Sequence, residues 1–290
     1  MTEATIALVV ILFALLLSSA PIAVALGGTA FLYFLYFTTT PLTQVPERLF
    51  NALNTFPLMA IPFFVLAANI MSRGGISKRL TDLGNAMVGH YRGGMAMTAV
   101  LSCMFFAAIS GSSPATVVAV GTLMIPAMMA AGYPKKFSTG LIASSGSLGI
   151  LIPPSIPLIV YGIVTEQSIG DLFLAGVIPG LMAGAMLIGL VVLISRRRGY
   201  GQAEDAVPMT RRQKLKAFRD AILSLMMPVI VLGGIYGGIF TPTEAAAASV
   251  VYALVVSVFI YKQLTVKDLS RVLLGSAKTS AMIMFIIANG

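Results

Sequence analysis

Ser110-Gly111-Ser112-Ser113-Pro114 lies near the middle of 42 residues that carry no charge, positions 93–134. At about 1.5 Å per helical residue such a run would measure about 60 Å, twice the roughly 30 Å of a bilayer's hydrocarbon core. It therefore holds two passes, and the five small or helix-breaking residues mark where they meet. Each arm, at roughly 16 to 18 residues, is a little short for a full crossing. The spacing predicts a re-entrant hairpin with its polar tip near the midplane; two ordinary spans joined by a short outside turn would use the same residues. Peptide groups at that depth survive only when buried in protein or lining a cavity. The choice therefore decides whether the segment is a linker or a site.

The next uncharged stretch, 137–165, repeats the theme: Ser144-Ser145-Gly146-Ser147-Leu148-Gly149 is followed by Pro153-Pro154-Ser155-Ile156-Pro157. Glycine permits unusual dihedrals and proline removes a backbone donor, so a continuous helix is expected to break across 144–157. A kink that serves packing alone is the plainer alternative. Carbonyls freed by a break, with the hydroxyls of Ser110, Ser112, Ser113, Ser144, Ser145 and Ser147, would surround an alkali cation with hard oxygens, and half-helix amino termini would attract an anionic group. No Asp, Glu, Lys, Arg or His lies deep in the apolar spans, Glu244 sitting at an edge. Proton-coupled carriers usually place a titratable group there, so sodium fits better as the coupling ion. The same absence argues against an enzyme.

The whole composition agrees. Of 290 residues 58% are hydrophobic and 10% charged, and the mean hydropathy is +0.95, which excludes a water-soluble globule and a disordered chain. One cysteine, Cys103, and one histidine, His90, exclude an internal disulfide and a transition-metal site. Cys103 and the methionines read as packing residues. The net charge of +9 would suit nucleic acid, but most Lys and Arg flank apolar runs, so a membrane and not a nucleic acid is the expected partner.

Further spans fall at 4–19, 21–37, 56–72, 172–194, 221–239 and 245–261, with a last one from near Ser276. Only Glu3 and no Lys or Arg precedes the first, so it is expected to stay in place instead of acting as a cleaved signal. Eight Lys/Arg against three acids in 196–220 put that loop in the cytoplasm. Threading from it places 38–55, 166–171 and 241–244 outside, and 73–92, Lys135 and 262–278 inside. Two amphipathic stretches read as interfacial helices: 78–91, with Leu80, Leu83, Met87 and Val88, inside, and 41–55, with Leu42, Val45, Leu49, Phe50 and Leu53, outside.

An internal repeat is suggested by three pairs near one offset: Pro21 with Pro242, Leu42-Thr43 with Leu264-Thr265, and Asn69 with Asn289. The loop 38–55 has one basic residue and its counterpart 262–278 has four, the opposite sidedness that an inverted-topology repeat requires. Chance recurrence of short apolar matches is the alternative. On the repeat reading the first copy covers 4–195, and the second, beginning near 221, is truncated at roughly 70 residues.

Phe56-Pro57-Leu58-Met59-Ala60-Ile61-Pro62-Phe63-Phe64 with Asn69 and Gly74-Gly75-Ile76-Ser77, Ser110-Gly111-Ser112, Ile152-Pro153-Pro154-Ser155-Ile156-Pro157 with Tyr161-Gly162, Leu174-Ala175-Gly176-Val177-Ile178-Pro179-Gly180 and Thr241-Pro242-Thr243-Glu244-Ala245 resemble the large membrane subunit of tripartite ATP-independent periplasmic (TRAP) transporters, the DctM-like or SiaM-like family. The resemblance covers essentially the whole chain. It implies an all-α polytopic, inverted-repeat, elevator-type transporter of the bacterial inner membrane. Such a protein imports carboxylated solutes, of the sialic acid or C4-dicarboxylate type, with Na+ as coupling ion and no organic cofactor. Its implied partners are a small DctQ/SiaQ-like membrane subunit, a periplasmic substrate-binding protein, membrane lipid and the anionic solute.

Carried onto this sequence, the resemblance divides the chain into scaffold helices and an outer arm at 1–55, a scaffold span with the cytoplasmic interfacial helix at 56–92, the transport hairpin and broken helix at 93–166, a scaffold span and basic loop at 167–220, and the start of the second repeat at 221–290. The expected sodium and solute residues are Ser110, Gly111, Ser112, Ser113 and Pro114 at the tip and Ser145, Gly146, Ser147, Gly149, Pro153 and Pro154 at the break. Family members continue with a second hairpin and a second broken helix, so a partial chain is the expectation. A channel or passive pore is the competing class.

Overall fold

The computed structural model describes residues 2–39, 41–201 and 209–289. Glu204 and Asp205 of the basic loop and Gly290 of the last span lie outside the described residues. Every regular element among the described residues is helical. Two short apolar helices, α1 (Thr2–Leu17) and α2 (Ile22–Phe37), come first. They part where Ser19 takes φ +63° and Pro21, without a backbone donor, caps α2. The arm α3 (Gln44–Leu53) follows, then a 3-10 turn at Phe56–Met59 that leads into α4 (Ala60–Arg73). Left-handed Gly75 turns the chain into α5 (Ile76–Val88).

The hairpin is α6 (Gly94–Ser110) and α7 (Ser113–Ala130). The broken span is α8 (Lys135–Gly146), α9 (Leu148–Leu151) and α10 (Ile156–Val164). After it come α11 (Ile169–Arg198), α12 (Arg211–Tyr236), α13 (Pro242–Leu254), which runs into a π-helical turn at Val255–Ile260, and α14 (Val266–Asn289). Six helices are long and apolar enough to cross a membrane, and the broken span, bent by 42°, makes a seventh. The chain is thus an all-helical polytopic membrane protein. At its centre stands α4, buried at Ala60, Ile61, Phe64, Val65, Ala67, Ala68, Ile70 and Met71 and packed mainly on α13 and α14.

Helix α11 serves as a depth gauge. Gly93, at the start of α6, abuts Ser195 near the basic end of α11. Further along α11, Gly184 meets Met104, Gly180 meets Ile152 and Gly176 meets the Leu151 carbonyl. From Ser195 to Gly180 is about 22 Å of helix, and the 17 residues of α6 span about 25 Å. The hairpin therefore ends at the level of the break, well before the amino end of α11. Its other arm returns to the same side, where Tyr133 stacks on Phe137 at 5.8 Å and leans on Tyr200 at 6.1 Å.

Four details depart from the sequence expectations. The break is later and shorter than 144–157, because α8 passes Ser147 in a single turn and α9 continues to Leu151. Gly146 and Gly149 have ordinary dihedrals; they are small because a Cβ on Gly146 would strike Val117 and one on Gly149 would come within 2.9 Å of Ser112. The last span starts at Val266, not near Ser276, with its amino end capped by Thr265 and Asp268. Of the two amphipathic helices, α5 buries Ile76, Leu80, Leu83 and Ala86 and packs on α6 and α12. The other, α3, buries none of its residues.

Candidate functional site at two interrupted helices

The tip of the hairpin is closed by local chemistry. Gly111 ends α6 in the left-handed region at φ +59°, its amide donating to the Ala107 carbonyl at 3.1 Å, a conformation that glycine adopts without a Cβ penalty. Ser112 is extended, and α7 begins at Ser113-Pro114, proline costing no donor at a helix start. A ring of hydroxyls holds the turn. Thr116 Oγ1 donates to the Ser112 carbonyl at 2.9 Å, Ser110 Oγ lies 2.9 Å from Thr116 Oγ1, and the Ser112 amide donates to Ser110 Oγ at 3.4 Å. Ser110 and Thr116 are fully buried, so the ring satisfies groups that lipid could not.

The break uses different means. Pro153 and Pro154 bring no amide donors, and Ser155 joins the two halves: its Oγ donates to the Ile150 carbonyl at 2.6 Å and accepts the Leu158 amide at 3.5 Å. The two interruptions also bond to each other, the Ile156 amide donating to the Gly111 carbonyl at 3.0 Å. A Cβ on Gly111 would collide with the Pro154 carbonyl oxygen, and Gly149 sits against Ser112.

Beside this junction lies a cavity of about 870 Å³. Val65, Ala68 and Asn69 of α4 form one wall, Ser110, Ser112, Ser113 and Pro114 the tip wall, Ile150, Ile156, Pro157 and Tyr161 the break wall, and Thr279 and Ile283 of α14 the remaining side. No Asp, Glu, Lys, Arg or His is among the lining residues. Two helix amino termini reach the cavity, and they differ. In α10 the first-turn amides are spent: Ile156 on Gly111, Leu158 on Ser155 Oγ and Ile159 on the Ser155 carbonyl. In α7, among the described residues, the amides of Ser113 and Ala115 and the hydroxyls of Ser112 and Ser113 have no protein partner. The open amino terminus is a ready anion seat, with free N–H donors and roughly half a positive charge.

The structure gathers the expected residues unevenly. Ser110, Ser112, Ser113 and Pro114 line the cavity. Gly111, Gly149, Pro153 and Pro154 form the buried junction behind it. Ser145 faces inward with its hydroxyl buried and unpartnered, Gly146 packs on Val117, and Ser147 is exposed, its hydroxyl donating to the Ser144 carbonyl at 2.7 Å. Sequence reasoning assigned no role to Asn69, Thr116, Ser155 or Thr279. Asn69 Nδ2 donates to Ser276 Oγ at 2.9 Å, tying α4 to α14 beside the cavity. A lone amide in the apolar run 56–72 was its available signal, and Thr116, one turn past Ser112, was another.

Two interrupted segments that meet beside a cavity lined by no charged side chain, in a bundle of membrane-crossing helices, define a polytopic membrane protein with a solute-sized site. The family model described as the tripartite ATP-independent periplasmic transporter, DctM component, matches residues 9–290. The C4-dicarboxylate TRAP transporter large permease protein DctM of Rhodobacter capsulatus is 47% identical over 96% of this chain and 66% of its own length. The 2,3-diketo-L-gulonate TRAP transporter large permease protein YiaN of Escherichia coli is 41% identical over 92% and 62%, respectively. The sialic acid TRAP transporter large permease protein SiaM of Vibrio cholerae is 36% identical over 94% and 63%. The chain belongs to the DctM family of TRAP transporter large permeases, and is a multi-pass protein of the bacterial inner membrane. It spans just under two thirds of the length of these curated relatives.

Proposed function

We propose that the chain forms the solute-holding part of a sodium-coupled importer of small carboxylates. The observation that carries this reading is the open amino terminus of α7 on a cavity lined by no Asp, Glu, Lys, Arg or His. A carboxylate seated there accepts hydrogen bonds from the Ser113 and Ala115 amides and the Ser112 and Ser113 hydroxyls, and meets the positive end of the helix dipole. Neutral oxygens suit Na+ as the coupling ion. The tip hydroxyls, the buried Ser145 hydroxyl and the second lone pair of the Ile150 carbonyl are the ligands we assign to it, with Gly146, Ser147, Gly149, Pro153 and Pro154 shaping the support.

Among carboxylates a C4-dicarboxylate is favoured over sialic acid, since the Rhodobacter relative named for the former is 47% identical and the Vibrio relative named for the latter 36%. In this reading 93–166 moves as an elevator unit against the helices of 1–55, 56–92, 167–220 and 221–290. A small membrane subunit and a periplasmic binding protein complete the importer.

Uptake of labelled succinate into proteoliposomes containing the chain with those two partners tests the proposal. Saturable uptake that needs an inward sodium gradient is expected. Uptake indifferent to sodium would overturn the coupling, and flux that never saturates would point to a pore.

A further inference from the structure

A second cavity lies at the opposite, cytoplasmic end of the bundle, in the angle between α5, α6 and α12. It encloses about 360 Å³, walled by Leu83, Ala86 and Met87 of α5, Phe105 of α6 and Phe218 and Leu225 of α12. The remaining lining residue is Lys214, near the start of α12. Helical spacing puts Arg211, Lys214, Phe218 and Leu225 along one face of α12 and Asp220 on the opposite one. From Lys214 to Leu225 is about 16 Å of helix, so the groove runs from the headgroup level of the cytoplasmic leaflet into the hydrocarbon.

Three features select the occupant. The walls are apolar and reach acyl-chain depth. Lys214 is half-buried and, among the described residues, has no acidic partner. Arg211 and Arg212 flank it in the first turn of α12, at the positive end of the helix dipole. An apolar slot beneath cations that have no acidic partner among the described residues, at the inner interface, matches a lipid that carries both a chain and a negative headgroup.

We propose that this groove is a binding site for an anionic phospholipid of the inner leaflet. One acyl chain lies along Phe105, Phe218 and Leu225, and the phosphate meets Lys214. The test is native mass spectrometry of the full chain released from nanodiscs of equal phosphatidylglycerol and phosphatidylcholine. One phosphatidylglycerol should be retained with about fivefold preference, the factor one basic residue contributes at an anionic surface.

Lys214→Gln should bring the ratio to about one, with Lys214→Arg keeping it. Met87→Trp, at a half-exposed wall position, should cut retention of both lipids. The proposal is overturned if the wild type shows no preference, if Lys214→Gln leaves the preference unchanged, or if excess inorganic phosphate displaces the lipid. It also fails if a photoreactive group at position 87 in the assembled transporter captures the small membrane subunit instead of lipid.

Discussion

The amino termini of α7 and α10 face one cavity, yet only one of them is open. At α10 every first-turn amide that proline has not removed is bonded, one of them to the hairpin tip itself. At α7 the Ser113 and Ala115 amides remain unspent among the described residues. A break in a membrane helix is therefore not a binding site merely because it is a break. What counts is which backbone dipoles are left after the protein has satisfied the rest. Here the proline-rich interruption is consumed in building a seat, and the glycine-serine interruption rests on it and presents the donors.

The heaviest blow to this arrangement is Gly111→Ala. The new Cβ would meet the Pro154 carbonyl oxygen while the backbone stays at φ +59°, and strain plus overlap at such a position costs about 3 kcal/mol or more. Thermal unfolding in detergent should show a large fall in midpoint or loss of the monodisperse species. An unchanged midpoint would mean that the tip and the break are not interlocked. Gly149→Ala strikes the same junction from the other side, 2.9 Å from the Ser112 carbonyl. Its dihedrals are ordinary, so overpacking alone applies, and about 1 to 3 kcal/mol is expected from the same measurement. If Gly149→Ala proves the more damaging of the two, close packing outweighs backbone conformation at the junction.

The gross plan was legible because it rests on lengths: 42 uncharged residues cannot be one span, and the basic loop fixes a side. The tip was legible for a similar reason, since Gly-Ser-Ser-Pro has few other uses at that depth. The break was misplaced because glycine has two meanings that sequence does not separate, dihedral freedom and missing bulk. Gly146 and Gly149 have the second. The open and sealed amino termini were not legible at all. Whether an amide is spent depends on a partner 45 positions away, Gly111 for Ile156, and no local pattern encodes that. The packing of α5 was hidden likewise, for an apolar face on a helix does not say whether lipid or another helix covers it.

Ser155→Ala tests the sealed side more gently. It removes the donor to the Ile150 carbonyl and the acceptor of the Leu158 amide. Hydrogen bonds in membrane bundles are worth about 0.6 kcal/mol on average and about 1.7 at most. A loss of about 1 to 1.7 kcal/mol is expected, read as a lower unfolding midpoint. Solute affinity of the protein that remains folded should hardly change, because Ser155 does not line the cavity.

Ser113→Ala is the mirror experiment and the smallest effect on stability. Among the described residues the Ser113 hydroxyl has no partner to lose, and alanine suits a first helical turn as well as serine does, so stability should move by less than about 0.5 kcal/mol. If that hydroxyl donates to a bound carboxylate, its removal costs about 1 to 1.5 kcal/mol of binding, or about five- to tenfold in Kd. Titration with succinate, followed by the stabilisation that a ligand of the folded state produces, reads the affinity directly. The two substitutions should thus separate, one shifting stability without affinity and the other affinity without stability. Were Ser155→Ala to weaken binding as much as Ser113→Ala, the carboxylate would be held at α10 as well, and the division between an open and a sealed amino terminus would be wrong.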